Sequence, residues 1–528
     1  MTPISTRPIN PFAGMDMRSI LDARAASRPD HPFLIWEPLE GEGRRWSYAA
    51  FVEAVGRFAA GLHARGVEPG QRVLIHMDNC PEFVIAWMGC AYAGAVAVTT
   101  NTKSARDELA YFAKHSQAVA AVTQPAFARL VAEAAPELAW RVVTDTDGGV
   151  APTKRVDGFE PFAAIDGDVG NLPARPHDPW APFGIQYTSG TTARPKAVVW
   201  THGNALWGAR ACAQNEDLRA DDVHFTYLPL FHTNAQSYSV LASLWVGATV
   251  VLAPRFSASR FWPVSLKHGA TWTSMVPFCA RALLTQPVPD NHSYRQWGNG
   301  VCDAPWDAHF GVRTLGWWGM TETITHGVVG SMNQANAAMS MGRPAPGYAI
   351  HVLDEAGQPV QPGQVGDLFV GGERGVSLFL EYAGDPAATA AAFRADGLFA
   401  TGDRVRLGQD GFLYFSDRSK DMLKVGGENV AASEIEHVIA AVSGVAEVAV
   451  VAMRHTMLDE VPVAFVIPQP GHAVGLSERI AESCQGALAT FKRPHQIRLV
   501  DSLPRSTLEK VAKAELRAAL VAESSVLA

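Results

Sequence analysis

At 528 residues, with 48% hydrophobic and 18% charged side chains and with 34 prolines and 46 glycines, the chain is too long for one core and too apolar to stay disordered; at roughly 100 to 200 residues per domain it holds about three packed units. Its 52 acidic and 44 basic residues leave a net charge of -8, and no Lys/Arg run is long enough to follow a phosphate backbone, which excludes nucleic acid as a partner. Cys80, Cys90, Cys212, Cys279, Cys302 and Cys484 form no CxxC pair, so they read as small core residues of a reducing compartment and not as a zinc framework.

Asp16, Arg18, Asp22, Arg24 and Arg28 occupy the stretch where a secretory leader would be apolar. Periodicity then predicts a helix over Met17–Ala26, a strand over Phe33–Trp36, a helix over Ser47–Arg65, a strand over Arg72–His76, a helix over Pro81–Ala93 and a strand over Ala95–Thr99. The apolar run Phe83–Val98, interrupted by Gly89 and Gly94, falls short of the roughly 18 to 20 residues that span a bilayer, so a buried helix running into a strand is expected and a membrane span is not. This alternation, resumed from Gly184 to Leu315 with strands at Ala197–Trp200 and Thr249–Leu252, predicts mainly parallel sheets with helices on their faces. From about 340 to 415 short alternating strands (Ala349–Leu353, Asp367–Val370, Gly411–Phe415) between Gly and Pro turns predict a β-rich subdomain. Past Asp417 charge clusters, Gly426-Gly427 follows, and Ser433 with Glu436 has capping-box spacing for a helix. Strands at Val445–Ala452 and Val463–Ile467 and a helix at Leu476–Leu488 complete a small α+β domain. The expected fold is α/β, with a large N-terminal domain over 1–419 and a small mobile C-terminal domain over 420–528.

The most specific stretch is Tyr187-Thr188-Ser189-Gly190-Thr191-Thr192-Ala193-Arg194-Pro195-Lys196, between two apolar strand-like runs. Hydroxyls, backbone N–H groups and the charge of Lys196 suit a chain of phosphates. It is not a P-loop, because Pro195 stands where that pattern needs Gly. No GxGxxG or GxSxG is present, which disfavours a dinucleotide-dependent oxidoreductase and a serine hydrolase.

This stretch resembles the signature loop of the adenylate-forming superfamily, which includes acyl-CoA synthetases, peptide-synthetase adenylation domains and firefly-type luciferases. Other elements of that superfamily recur in the same order: Gly316-Trp317-Trp318-Gly319-Met320-Thr321-Glu322, Thr401-Gly402-Asp403, Asp417-Arg418-Ser419-Lys420, and Leu503-Pro504-Arg505 leading to Lys510. Local wording at 189–196, 311–324 and 426–430 is similar to the crotonobetaine/carnitine–CoA ligase branch. The resemblance implies an ATP-dependent carboxylic acid–CoA ligase that proceeds through an acyl-adenylate, releasing pyrophosphate and then AMP. Its ligands would be ATP, Mg²⁺, coenzyme A and a small-molecule carboxylic acid, its compartment the cytoplasm, and a homodimer is allowed. An adenylation enzyme that loads a carrier protein and a nucleotide- or acyl-binding homologue without turnover stand beside this reading.

The resemblance also implies roles. Thr188, Ser189, Gly190, Thr191, Thr192 and Lys196 would hold the phosphates. Trp318 would stack on adenine, flanked by Gly319 and Met320 and with the Asp303-Ala304 backbone at the ring edge; such stacking is worth on the order of 1 to 3 kcal/mol. Thr321 would donate to the α-phosphate and Glu322 would offer a hard oxygen to Mg²⁺, while Asp403 and Arg418 would bind the ribose. Lys510 would bridge carboxylate and α-phosphate, anions that repel by about 4 kcal/mol at roughly 4 Å and an effective dielectric near 20. Lys420 would be the hinge, and Gly426-Gly427 would let a pantetheine arm approach the backbone. Glu509 beside Lys510 departs from the Gly usual there, and Ala193 and Ala197 from the signature loop. The acid would meet His232, counted with Lys510, Thr321 and Glu322 among the catalytic groups, and Trp207, Trp297, Trp317 and His326. Those side chains suit a compact or polar acid, and their aromatic faces a quaternary ammonium group, an aryl acid, or simply a packed core.

Overall fold

The computed structural model describes residues 9–145, 147, 156–188, 195–418, 422–504 and 511–526. Two large sheets form the body. In one, Pro32–Trp36, Thr249–Leu252, Val223–Thr226, Trp272–Ser274, Gln296–Asn299 and Arg313–Gly319 run parallel, with antiparallel strands at the edges. In the other, Val96–Thr99, Arg72–His76, Ala118–Thr123 and Trp140–Val143 are parallel neighbours. Its strand Pro182–Thr188 pairs parallel with Val96–Thr99 and antiparallel with Lys196–Thr201, Thr188 facing Lys196.

Local chemistry accounts for the first units. Ser47 caps the helix Tyr48–Ala64 by accepting from Ala50 N–H, and Phe51, Val55, Phe58 and Leu62 bury one face at helical spacing. The helix Pro81–Ala93 starts on Pro and is buried from Phe83 to Ala91. Gly89 lets it approach Phe58, where a Cβ would come within 2.5 Å. It stops at Gly94 in the left-handed region, φ +83°, and the strand Val96–Thr99 follows. Each aliphatic or aromatic side chain fully buried there contributes about 1.5 to 3 kcal/mol. Among the described residues no helix is long and apolar enough to cross a membrane.

The β-rich subdomain is a four-stranded antiparallel sheet of Ala349–Leu353, Val365–Gly371, Phe399–Leu407 and Leu413–Arg418. Its last strand begins at Leu413, not at Gly411, because Gly411 has φ +78° in a turn closed by Gly408 N–H donating to Phe412. The chain from 422 to 526 has its own sheet, in which alternate residues face opposite sides. Val450, Ala464 and Val466 pack with the helices Ala432–Ala440 and Leu476–Ala487. Ala449, Val451, Val463 and Phe465 pack with Leu503, Leu516 and Leu520. The expected capping box at Ser433 does not form: Ala431 is the N-cap and has no side-chain cap. Glu436 instead accepts from Val450 N–H at 2.7 Å and pairs with Lys513 at 2.6 Å.

One element has no counterpart in the sequence expectations. Asn234–Leu241 is a π-helix running directly into the α-helix Ala242–Val246. Its wider turn turns Gln236, Ser237 and Tyr238 inward, all of them buried, a conformation that recurs at functional sites.

Candidate functional site

Lys196, Tyr382, Glu322 and Thr321 meet from three separate stretches. The Lys196 ammonium lies 4.4 Å from the centre of the Tyr382 ring, and the Tyr382 hydroxyl donates to Glu322 Oε1 at 2.9 Å. Burial together with the Glu322 carboxylate pushes the Tyr382 phenol well above its ordinary value, so it stays a donor. Thr321 accepts twice: its carbonyl from the Trp200 indole at 2.9 Å and its hydroxyl from Thr233 at 3.1 Å. Thr233 is also tied to Gln186, and Gln186 to Gln236. Thr188 and Lys196 are register partners at the mouth of a hairpin; Ser189, Gly190, Thr191 and Thr192 lie outside the described residues.

Next to this cluster Trp318 and Asp403 are both buried, and the Trp318 indole donates to Asp403 Oδ2 at 2.8 Å. Gly327 lies against the ring, where a Cβ would come within 2.8 Å of it. Asp403 and Arg418 are Cα partners on neighbouring strands. Gly319 must be glycine, since a Cβ would come within 2.3 Å of the Tyr238 hydroxyl. Met320 opens the short turn Thr321–Thr323, its N–H held by Thr323. That turn ends at Ile324 with φ +66°, a strained conformation for a β-branched residue and one typical of functional sites. Asp303 is committed to its own helix, accepting from Trp306 N–H at 3.2 Å, and Ala304 borders an open cleft of ≈ 400 Å³.

On the acid side Trp317 stacks on His326, ring centres 4.6 Å apart, with Tyr238 across the same imidazole at 4.2 Å. Gly298 makes room, because a Cβ there would come within 1.6 Å of the Trp317 ring. Trp207 donates to the Tyr348 hydroxyl at 3.1 Å and has Arg210 over its ring. Trp297 packs fully buried in an aromatic core with Phe261, Trp262, Tyr294 and Phe310.

The 422–526 segment reaches this site through Gly426-Gly427, the turn between the strands Met422–Val425 and Glu428–Ala431, at φ +58° and +89°. Glu428 follows and takes His232 Nε2 at 2.9 Å and Lys103 at 3.5 Å. Burial alone would raise the Glu428 carboxyl, but His232 and Lys103 more than offset it and hold it at about 2. Farther out Lys492 joins Glu108 of the large domain to Glu434 of the small one, and Glu108 also accepts from Ala489 N–H. Arg281 pairs with Asp459 at 2.7 Å. Lys420 and Lys510 lie outside the described residues.

The sequence motifs did not single out Tyr382, Glu428, Lys103, Thr233 and Gln236. Each acts through a partner far along the chain, so only Glu428, beside Gly426-Gly427, carried a local signal.

The chain matches the model of the AMP-binding enzyme family over residues 21–382 and that of its C-terminal domain over residues 434–510; it belongs to the AMP-binding enzymes. It is 35% identical to a crotonobetaine/carnitine–CoA ligase of Proteus mirabilis (strain HI4320), over 95% of this chain and 97% of that one. Its fold is similar to an o-succinylbenzoate–CoA synthetase of Bacillus subtilis. A doubly substituted form with a bound product analogue gives a TM-score of 0.82 at 27% identity, covering 94% of this chain and 97% of that one. The same synthetase in complex with AMP gives 0.67 at 27%, covering 94% and 98%. The chain is an AMP-forming acyl-CoA synthetase: it joins a carboxylic acid to CoA through an acyl-adenylate at the expense of ATP.

Proposed function

We propose that the large domain adenylates a compact carboxylic acid and that the orientation described here serves the second half-reaction, transfer of the acyl group to CoA. The observation that carries this reading is the convergence of Lys196, Tyr382, Glu322 and Thr321, a cation, two hydroxyls and a carboxylate brought together from stretches far apart in the chain. In the first step an acid oxygen attacks the α-phosphorus and pyrophosphate leaves. Thr188, the 189–192 loop and Lys196 hold the phosphates, Trp318 takes the adenine face, and Asp403 with Arg418 takes the ribose. Glu322 is a hard oxygen donor next to hydroxyls, which fits Mg²⁺; that ion would screen the pyrophosphate charge when bound. Lys510 supplies the cation between acid and phosphate in the closed form. In the second step the CoA sulfur attacks the acyl carbonyl and AMP leaves, beneath the Gly426-Gly427 turn.

Two observations support the second-step orientation. Glu428 is at His232, next to the adenylation residues, while Leu503 and Val511, which flank the Lys510 segment, pack on the sheet face opposite the helices that meet Glu108. The fold also resembles the product-analogue complex of the Bacillus synthetase more than its AMP complex. Lys420 is then the pivot between the two orientations. A cytoplasmic location accords with the six cysteines, all of them free and buried. Acid-dependent exchange of labelled pyrophosphate into ATP, followed by CoA-dependent AMP release, tests the reading; a soluble protein silent in both across a broad acid panel overturns it.

A further inference from the structure

Gln186 is a polar side chain in an apolar strand. Phe183 and Ile185 beside it are core residues, and Gln186 is itself buried, as are Thr99, Thr233 and Gln236 around it. A buried amide needs partners for both its oxygen and its NH2 group. For Gln186 both lie at the start of the π-helix Asn234–Leu241, Thr233 as its N-cap and Gln236 inside it. Gln236 fixes the direction of the chain of bonds. Its Nε2 donates to the Leu230 carbonyl at 2.7 Å and to Thr99 Oγ1 at 3.1 Å, and a backbone carbonyl can only accept. Gln236 Oε1 is thereby turned to Gln186, whose Nε2 donates to it at 2.7 Å. Gln186 Oε1 in turn faces Thr233, so on that side the Thr233 hydroxyl is the donor, at 3.0 Å. The same hydroxyl donates to Thr321 Oγ1 at 3.1 Å. One hydrogen thus serves two oxygen acceptors in a three-centre bond.

Thr321 therefore receives a hydrogen from inside the protein and keeps its own. Its backbone is pinned as well, since the Trp200 indole donates to its carbonyl at 2.9 Å. A hydroxyl with no such partner has about three staggered orientations. One whose oxygen already accepts turns its own hydrogen away from that donor, and accepting strengthens the bond it gives. Thr321 is only half-buried, so that hydrogen can reach a ligand. We infer that Thr233 is a positioning residue for adenylation: held by Gln186 and Gln236, it fixes the Thr321 hydroxyl as a donor to the α-phosphate oxygen that gains charge as the acid attacks. This rests on the ligase reading and goes beyond it, because it assigns a part in the reaction to three buried residues. Gln186 suits that part by its place in the chain, since its strand Pro182–Thr188 runs on into the phosphate loop, while Thr233 directly follows His232.

The test is single-turnover formation of acyl-adenylate from ATP labelled at the α-phosphorus, without CoA, using the acid that exchanges pyrophosphate fastest. Thr233→Val, which keeps the shape and loses the hydroxyl, should slow this step roughly tenfold at saturating ATP while the half-saturating ATP concentration stays within about twofold. Thr233→Ser, which keeps the hydroxyl, should return the rate to within about threefold of wild type. A double-mutant cycle separates this role from packing: on a Thr321→Val background, Thr233→Val should cost less than about twofold more. Losses that multiply in the double variant overturn the proposal, because they place the effect of Thr233 outside Thr321. A Thr233→Val rate within about twofold of wild type at saturating ATP overturns it too, as does a Thr233→Ser protein as slow as Thr233→Val. If Thr233→Val is insoluble, Thr233→Cys, whose thiol is a weak donor, carries the same cycle with a smaller loss. Multiplying losses in an active protein overturn this proposal alone, whereas a wild-type protein silent with every acid overturns the ligase reading with it.

Discussion

The Trp318 indole has two demands on it, a face for adenine and an N–H for Asp403. Replacing it with Phe keeps a ring and leaves a buried carboxylate one donor short, a loss of about 1 to 1.5 kcal/mol. Trp318→Phe should therefore raise KM for ATP by roughly tenfold with little change in KM for the acid, as read from initial rates in each substrate. Asp16 gives a stability counterpart. Burial alone would raise its carboxyl, but Arg18 and His177 hydrogen bonds bring it to about 2. A carboxyl depressed below its unfolded value stabilises the fold above that unfolded value and loses the contribution as pH falls toward the folded one. Asp16→Asn should thus lower the denaturation midpoint at neutral pH, and the gap should close between about pH 4 and pH 2. Side chains such as Thr321, Glu322 and Asp403 were legible from the sequence because they sit in contiguous motifs. Tyr382 was not, since its hydroxyl reaches Glu322 and its ring lies under Lys196, both distant in the chain.

Elements were legible where one local rule dominated. The strand Arg72–His76 and the helix Pro81–Ala93 end where the pattern places them, because a largely apolar run, an N-terminal Pro and a Gly at the C-cap all agree. The π-helix Asn234–Leu241 has no such signature, as its wider turn is held by packing and not by periodicity. The Ser433 cap failed for a related reason: Glu436 gains more from Val450 and Lys513 than from its own helix end. Packing between adjacent strands gives the prediction at this scale. Gly298 and Trp317 belong to neighbouring parallel strands, Gln296–Asn299 and Arg313–Gly319, and the indole fills the space over Gly298. Gly298→Ala forces the Trp317 ring to move, which should cost about 1 to 3 kcal/mol in urea denaturation and alter the relative rates with short and longer acids in the exchange assay.

Across the whole molecule the question is which contacts hold the small domain in place. Burial would lower the Lys492 ammonium, but Glu434 and Glu108 more than offset this and raise it, so the charge persists in a buried interface. Removing it leaves the two carboxylates facing each other without a cation, and such losses in a rigid interior cost about 3 to 5 kcal/mol. Here part of that cost can be escaped, because a swing of the small domain would return both carboxylates to water. The penalty then falls on one orientation and not on folding. Lys492→Met should slow thioester formation from supplied acyl-adenylate by roughly 10- to 100-fold and spare acid-dependent pyrophosphate exchange. Glu428→Gln, which unpairs His232 and Lys103 at the other end of the same interface, should act in the same direction. Lys510→Ala should do the reverse, abolishing exchange while thioester formation from supplied adenylate continues. Equal losses in both half-reactions for Lys492→Met and for Lys510→Ala would mean that one domain arrangement serves both steps, because a substitution that penalises only one orientation cannot slow a reaction carried out in the other.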